Sequence, residues 1–229
     1  MKQAPIPDND EARLTALQDY ELLAQSPESW FDDVVSLVRD LCDAPIALLS
    51  LIDRDTQFLK ATAGLPPELR SGTRANSFCG HAILETEIFE IPDTHADERF
   101  RNNPWVVKNG VRFYAGAPLI NSDGYALGSL CVIDHEPRHL TPKTRAGLLS
   151  LARIVMQHIE SRRHETMGDQ LKRLLDTSDE FVAVVDAETL QLVHANAHLN
   201  DLVDTTIQCC GRDQVDATDI FPSLSATFF

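Results

Sequence analysis

The stretch Arg112-Phe-Tyr-Ala-Gly-Ala-Pro-Leu-Ile120, Asn121-Ser-Asp-Gly124, Ala126-Leu-Gly-Ser-Leu-Cys-Val-Ile-Asp134 is two apolar runs joined by a short polar turn. Residues of this kind suit a pleated, half-buried surface. Gly124 is free to take the positive φ that a tight connection needs. The stretch therefore predicts an antiparallel hairpin. In an extended strand Phe113 points away from Arg112 and Tyr114. One face of the hairpin then meets a helical core, and the other, carrying Tyr114, meets a pocket side.

Working outward, Ile46-Ala-Leu-Leu-Ser-Leu-Ile52 reads as a buried strand, Asp53-Arg54-Asp55 as a turn, and Gln57 to Ala63 as the returning arm. Gly64-Leu-Pro-Pro67 ends that arm, because proline cannot donate to a ladder. Ile88 to Ile91 is a short strand. Two hairpins imply an antiparallel sheet, and the amphipathic segments around them supply its cover. Residues 10–24 place Leu14, Leu17 and Leu22 at helical spacing, with Asp8 or Asp10 as the cap. Ser26 and Pro27 open a second helix running to about Cys42, with Trp30, Phe31, Val34, Val35, Leu37, Val38 and Leu41 as its apolar face. Asn76 or Ser77 opens a short helix through Leu84. Asp93 to Lys108 reads as a polar, irregular loop interrupted by Pro104. Thr141-Pro142 opens a long helix with Leu148, Leu151, Ala152, Val155 and Ile159 on one stripe, and the polar segment Ser161 to Arg173 continues it. Beyond Asp176, Phe181 to Asp186 and Leu190 to Ala195 read as a further hairpin, followed by a helix capped by Asn196.

The chain has 229 residues and a formal net charge of −15. That balance opposes binding to nucleic acid, where Lys and Arg must neutralise phosphates, and docking on an anionic membrane. The N-terminus lacks a signal-peptide apolar core, and the longest apolar run, Ala44 to Ile52, is too short to span a bilayer. A cytoplasmic location is expected. The cysteines Cys42, Cys79, Cys131, Cys209 and Cys210 show no disulfide-framework spacing, so free thiols are expected.

Over residues 8–163 the chain resembles the GAF family of bacterial sensors. The resemblance rests on segments in order: Glu11 to Tyr20, Pro27 to Asp32, Ala44 to Asp53, Ser77-Phe-Cys-Gly-His-Ala-Ile83, Asp97-Glu-Arg-Phe-Arg-Asn-Asn-Pro104, Arg112 to Leu119 and Leu127 to Asp134. From about Leu174 the chain resembles the opening of a PAS domain, carried by Asp186 and Val193-His-Ala-Asn-Ala197, with too few residues left to complete one. The expected fold class is α+β: a GAF-like antiparallel sheet flanked by helices, then an incomplete PAS-like segment. The expected domains are 1–163 for the GAF part with its N-terminal helices, 164–175 for a helical linker and 176–229 for the partial PAS domain.

The resemblance implies a sensory, small-molecule-binding module of a signalling protein, of histidine kinase or diguanylate cyclase type, relaying through its C-terminal helix. It implies a pocket between the sheet, the Ser77–Leu84 helix and the Asp93–Lys108 loop. Candidate ligand-binding residues are Phe78, Cys79, His81, Asp93, Phe100 and Tyr114, with Phe100 and Trp105 as an aromatic lid. Cys79 and His81 stand two apart, and such residues do not share a helix face. Asp93, His95 and Asp97 lack a second His or Cys at zinc-like spacing, so no metal is expected. The sequence names no cofactor: cyclic nucleotide, heme, amino acid and no ligand at all stay open. No phosphate-cradling glycine loop, nucleophile elbow, kinase or zinc-hydrolase motif is present, so no catalytic activity is expected within these residues. Two further readings are a dimerisation and relay domain without a ligand, and a reductase of free methionine sulfoxide using Cys79 with Cys131 as resolving thiol. The Leu148, Ala152, Val155, Ile159 stripe steps like a heptad seam; part of it must cover the sheet, so a parallel homodimer held by the remaining face of the long helix and by the N-terminal helix is expected.

Overall fold

The computed structural model describes residues 2–23, 28–66, 68–177, 183–185, 192–196 and 199. The chain divides into two compact units, Met1–Ser161 and Arg162–Phe229.

In the first unit the order is α1 (Asp10–Asp19), α2 (Ser29–Leu41), β1 (Ile46–Ile52), β2 (Thr56–Ala63), β3 (Ser71–Thr73), α3 (Phe78–Ala82), β4 (Phe89–Ile91), α4 (Pro104–Asn109), β5 (Phe113–Ile120) and β6 (Ala126–Asp134), followed by α5 (Pro142–Asp176), which continues beyond Ser161. Six strands form one sheet in the order β3-β2-β1-β6-β5-β4, and every neighbouring pair is antiparallel. The β5–β6 hairpin aligns Tyr114 with Ile133 and Gly116 with Cys131. Gly124, at φ 86° in its turn, takes the conformation expected of it.

Two apolar layers sit on opposite faces of this sheet. One gathers Leu17, Phe31, Val35, Val38, Leu49, Leu51, Phe113, Ala115, Leu130, Val132, Leu148 and Val155. The other gathers Leu48, Ile52, Phe78, Cys79, Ile91, Phe100, Tyr114, Cys131 and Ile133. The strands alternate between the layers as their period of two requires, so Phe113 and Tyr114 face opposite sides as the sequence predicts. Helices α2 and α5 cover the first layer. Trp30 stacks on His158, with ring centroids 3.9 Å apart, and Leu41 lies against Gly147.

Three expectations are corrected. The Asp93–Lys108 segment is not wholly irregular. Asn103 accepts from the Trp105 N–H at 2.8 Å and Pro104 takes the first helical position, making the short helix α4. Neither Asp8 nor Asp10 caps α1. The cap position is Asn9, and Asp10 turns inward to the guanidinium groups of Arg13 and Arg74. The stripe Leu148, Ala152, Val155 and Ile159 packs into the domain's own core, so it is not free to form a seam between two copies. Strand β3 had no apolar run to announce it. The Ser26–Pro27 helix start lies outside the described residues.

Two contacts fix α5 to the sheet. Near its start, Arg145 and His139 both reach Glu90 on β4. Further along, the Ser122 N–H in the β5–β6 turn donates to Glu160 at 2.7 Å. In the second unit, β7 (Ala183–Val185) and β8 (Leu192–Ala195) pair antiparallel, and the Asn196 side chain accepts from the Leu199 N–H.

Candidate functional site

The second apolar layer holds the site. Ser77 accepts from the Gly80 N–H at 2.8 Å and so opens α3, which presents Phe78 and Cys79 to the sheet. Strand β5 brings Tyr114 and β6 brings Ser129 and Cys131 beneath them. The Tyr114 ring lies 5.1 Å from that of Phe78, and Phe78 lies 4.9 Å from Phe100. Tyr114 is fully buried, so its hydroxyl needs partners. It finds the Cys79 sulfur and Ser129 Oγ, each at 3.3 Å. Gly116 makes this pose possible, since a Cβ there would stand 2.3 Å from the Tyr114 oxygen.

The sulfurs of Cys79 and Cys131 are 3.7 Å apart, unbonded and buried. Hydrogen bonding from Cys131, against the cost of burial and helped by Ser129, Ser50 and Tyr114, holds the Cys79 thiol below its ordinary range. Burial and then the neighbouring Cys79 push Cys131 up.

Phe78, Cys79 and Tyr114 line a cavity of about 30 Å³ together with Leu48, Leu65, Trp105 and Ile133. That holds about one water-sized molecule. Leu65, Trp105 and Ile133 also line an open groove of about 650 Å³, whose rim carries Glu68, Asn109 and His135.

The structure brings Phe78, Cys79, His81, Phe100 and Tyr114 into one cluster, but their roles separate. Phe100 packs behind the cavity rather than over it, with Arg99 above its ring. His81 turns to the other side of α3, edge-on to Phe100 at 4.7 Å. There it lines a different cleft with Lys2, Gln3 and Arg99. Burial, then Arg99, lowers its pKa. Asp93 does not join the cluster: it holds Arg112 through two hydrogen bonds of 3.0 and 2.8 Å and caps a turn at the His95 N–H. Residues that sequence reasoning missed are Leu65, Glu68, Ser129 and His135. A Gly-Leu-Pro-Pro end of strand was legible, but its folding back as a groove wall was not. Among the described residues no group of three or more His, Cys, Asp or Glu is placed to hold a metal ion, and no helix is long and apolar enough to cross a membrane.

A family model for the GAF domain matches residues 26–159. The chain is 38% identical over 172 residues to a cyclic di-GMP phosphodiesterase of Pseudomonas aeruginosa, a match covering 74% of this chain and 29% of the relative. The chain thus spans less than a third of that relative's length. Among solved structures, the GAF domain of a phosphoenolpyruvate-protein phosphotransferase from Coxiella burnetii aligns with a TM-score of 0.53 at 20% identity, covering 70% of this chain and 99% of that one. The corresponding domain from Acinetobacter gives 0.51 at 19% identity, covering 68% and 95%. Sheet order, covering helices and family match agree, and the chain belongs to the GAF domain family.

Proposed function

We propose that this chain is the sensory module of a signalling protein and takes up a small molecule in the groove and cavity beside Tyr114. The observation that carries the reading is that the cavity and the groove share Leu65, Trp105 and Ile133 as walls. On one side of these walls lies the groove with Glu68, Asn109 and His135 at its rim, and on the other the small cavity that reaches Cys79 and Tyr114. Mostly apolar walls with a few convergent polar groups are the general character of ligand sites. The relay is mechanical. Strands β5 and β6 line the cavity, and their turn holds Glu160 of α5, so a ligand that spreads α3 from the hairpin shifts the helix. A ligand does this only by its differential affinity for the two arrangements.

The named relative supports an output in cyclic-dinucleotide signalling; a histidine kinase output is the competing reading. The β7–β8 hairpin supports reading residues 176–229 as the start of a PAS domain. We further propose that two copies pair through a surface other than the α5 stripe, with α2 and its exposed Leu37 as the first place to look.

A thermal-shift screen of small metabolites tests the ligand reading. A ligand at a hundred times its Kd stabilises by about 2.7 kcal/mol, which is about 5–10 °C in Tm for a domain of this size. Trp105→Ala should abolish most of that shift. Equal shifts in both proteins would place the ligand elsewhere, and no shift from any compound would favour the ligand-free relay. Hydrolysis of cyclic di-GMP by this chain alone would overturn the non-catalytic reading.

A further inference from the structure

Cys79 lines the cavity, and Cys131 stands directly beside it, outside the lining. Their sulfurs lie 3.7 Å apart. A disulfide bond is about 2.0 Å long, so closure asks each sulfur for less than about 1 Å of travel, within reach of a modest side-chain rotation. Cys79 sits on α3 and Cys131 on β6, so the bond would join elements that nothing covalent now connects. Tyr114 donates to the Cys79 sulfur, and Ser129 approaches that same phenol. The third described thiol, Cys42, lies in the opposite layer of the sheet.

We propose that Cys79 and Cys131 are a peroxide-oxidised dithiol: hydrogen peroxide entering through the groove converts them to an intramolecular disulfide that ties α3 to β6. In the first step the Cys79 thiolate attacks one peroxide oxygen. An S–O bond forms, the O–O bond breaks, and the departing hydroxide takes up the proton that the Cys79 thiol released on ionising, leaving as water. Sulfur loses two electrons and peroxide gains them. In the second step Cys131 sulfur attacks the Cys79 sulfenic acid. The S–S bond forms, the S–O bond breaks, and the Cys131 proton leaves with the hydroxide as a second water. A dithiol reductant restores both thiols by exchange. The cavity beside Cys79 holds about one water-sized molecule, which selects hydrogen peroxide over bulky organic hydroperoxides. The proposal stands independently of whether the groove binds a metabolite.

The test treats the whole chain, reduced and native, with hydrogen peroxide, quenches free thiols by alkylation, and maps the cysteine peptides without reduction. The expected product is a Cys79–Cys131 linked pair, reversed by dithiothreitol, with cumene hydroperoxide slower by at least about tenfold because of the cavity's size. Cys131→Ser should instead halt at a Cys79 sulfenic acid trapped by dimedone, and Cys79→Ser should leave Cys131 reduced. The wild-type peptide map decides the matter even where a variant does not fold. Both thiols remaining free while other cysteines oxidise, oxidation of Cys131 before Cys79, or Cys79 linked to another cysteine would each overturn the proposal.

Discussion

Removing the carboxylate of Asp10 should destabilise this domain more than removing any surface carboxylate. Asp10 accepts from Arg13 Nε at 2.8 Å and from Arg74 at 2.8 and 3.0 Å. The two guanidinium groups are 1% and 5% exposed at the side chain. Each already has a nitrogen with no hydrogen-bond partner among the described residues, Arg13 Nη2 and Arg74 Nε. Asp10→Asn therefore leaves two like charges facing each other away from water. Taking one partner from a buried charge network costs about 3–5 kcal/mol, or about 6–20 °C in Tm for a domain of this length. Asp93→Asn, which removes a half-exposed partner of Arg112, should cost less than about 1 kcal/mol. Thermal unfolding of the two variants beside the wild type gives the comparison. The pH dependence supplies a second check. Burial alone would raise the Asp10 pKa, but hydrogen bonds from Arg74 and Arg13 outweigh it, and the folded value lies below the ordinary 3.8. A depressed carboxyl stabilises above its unfolded pKa and loses that contribution as pH falls through the folded one. The gap between wild type and Asp10→Asn should thus hold constant from neutrality to about pH 5 and shrink below pH 3.8. An Asp10→Asn shift no larger than that of Asp93→Asn would refute the reasoning.

Gly116→Ala should push the phenol of Tyr114 off Cys79, because the new Cβ would stand 2.3 Å from its oxygen; the denaturation midpoint should report a loss of about 1–3 kcal/mol, the usual cost of overpacking. Val155→Glu should lower the yield of folded protein rather than produce a folded monomer, since Val155 is fully buried; sedimentation and circular dichroism distinguish the two outcomes. His81 has its pKa lowered by burial and by Arg99 from 6.5, so the unfolded chain takes up the proton first, and stability should fall as pH drops below about 6.5. His81→Leu should flatten that part of the curve of Tm against pH.

The strands were legible because continuous apolar runs of strand length stand between turn signals: Ile46 to Ile52 and Phe113 to Asp134 read the same way in sequence and in space, buried on both faces. The cluster of Phe78, Cys79, Phe100 and Tyr114 was legible through family resemblance alone, since those residues come from three separate elements. Asp93 misled because an acid in a loop looks available until its partner is known, and Arg112 lies nineteen positions away in sequence. The α5 stripe misled for a related reason. Heptad-like spacing says that one face is apolar, but it does not say whether that face meets its own sheet or another chain. Helix α4 was written in Asn103-Pro104, a capping pair masked by its polar surroundings. The adjacency of Cys79 and Cys131, 52 positions apart, follows only from the sheet order.

Strand β6 runs through the centre of the sheet, paired with β1 on one edge and β5 on the other. Its neighbours in sequence serve different layers: Cys131 and Ile133 belong to the cavity side, Leu130 and Val132 to the side covered by the long helix. A mutation that shortens or lengthens this strand by one residue would exchange the two sets at once. In evolutionary terms the strand is a locus where two selective pressures share one reading frame. The loops around the groove can be redrawn without disturbing the sheet, whereas β6 can change only by substitution in place, one face at a time.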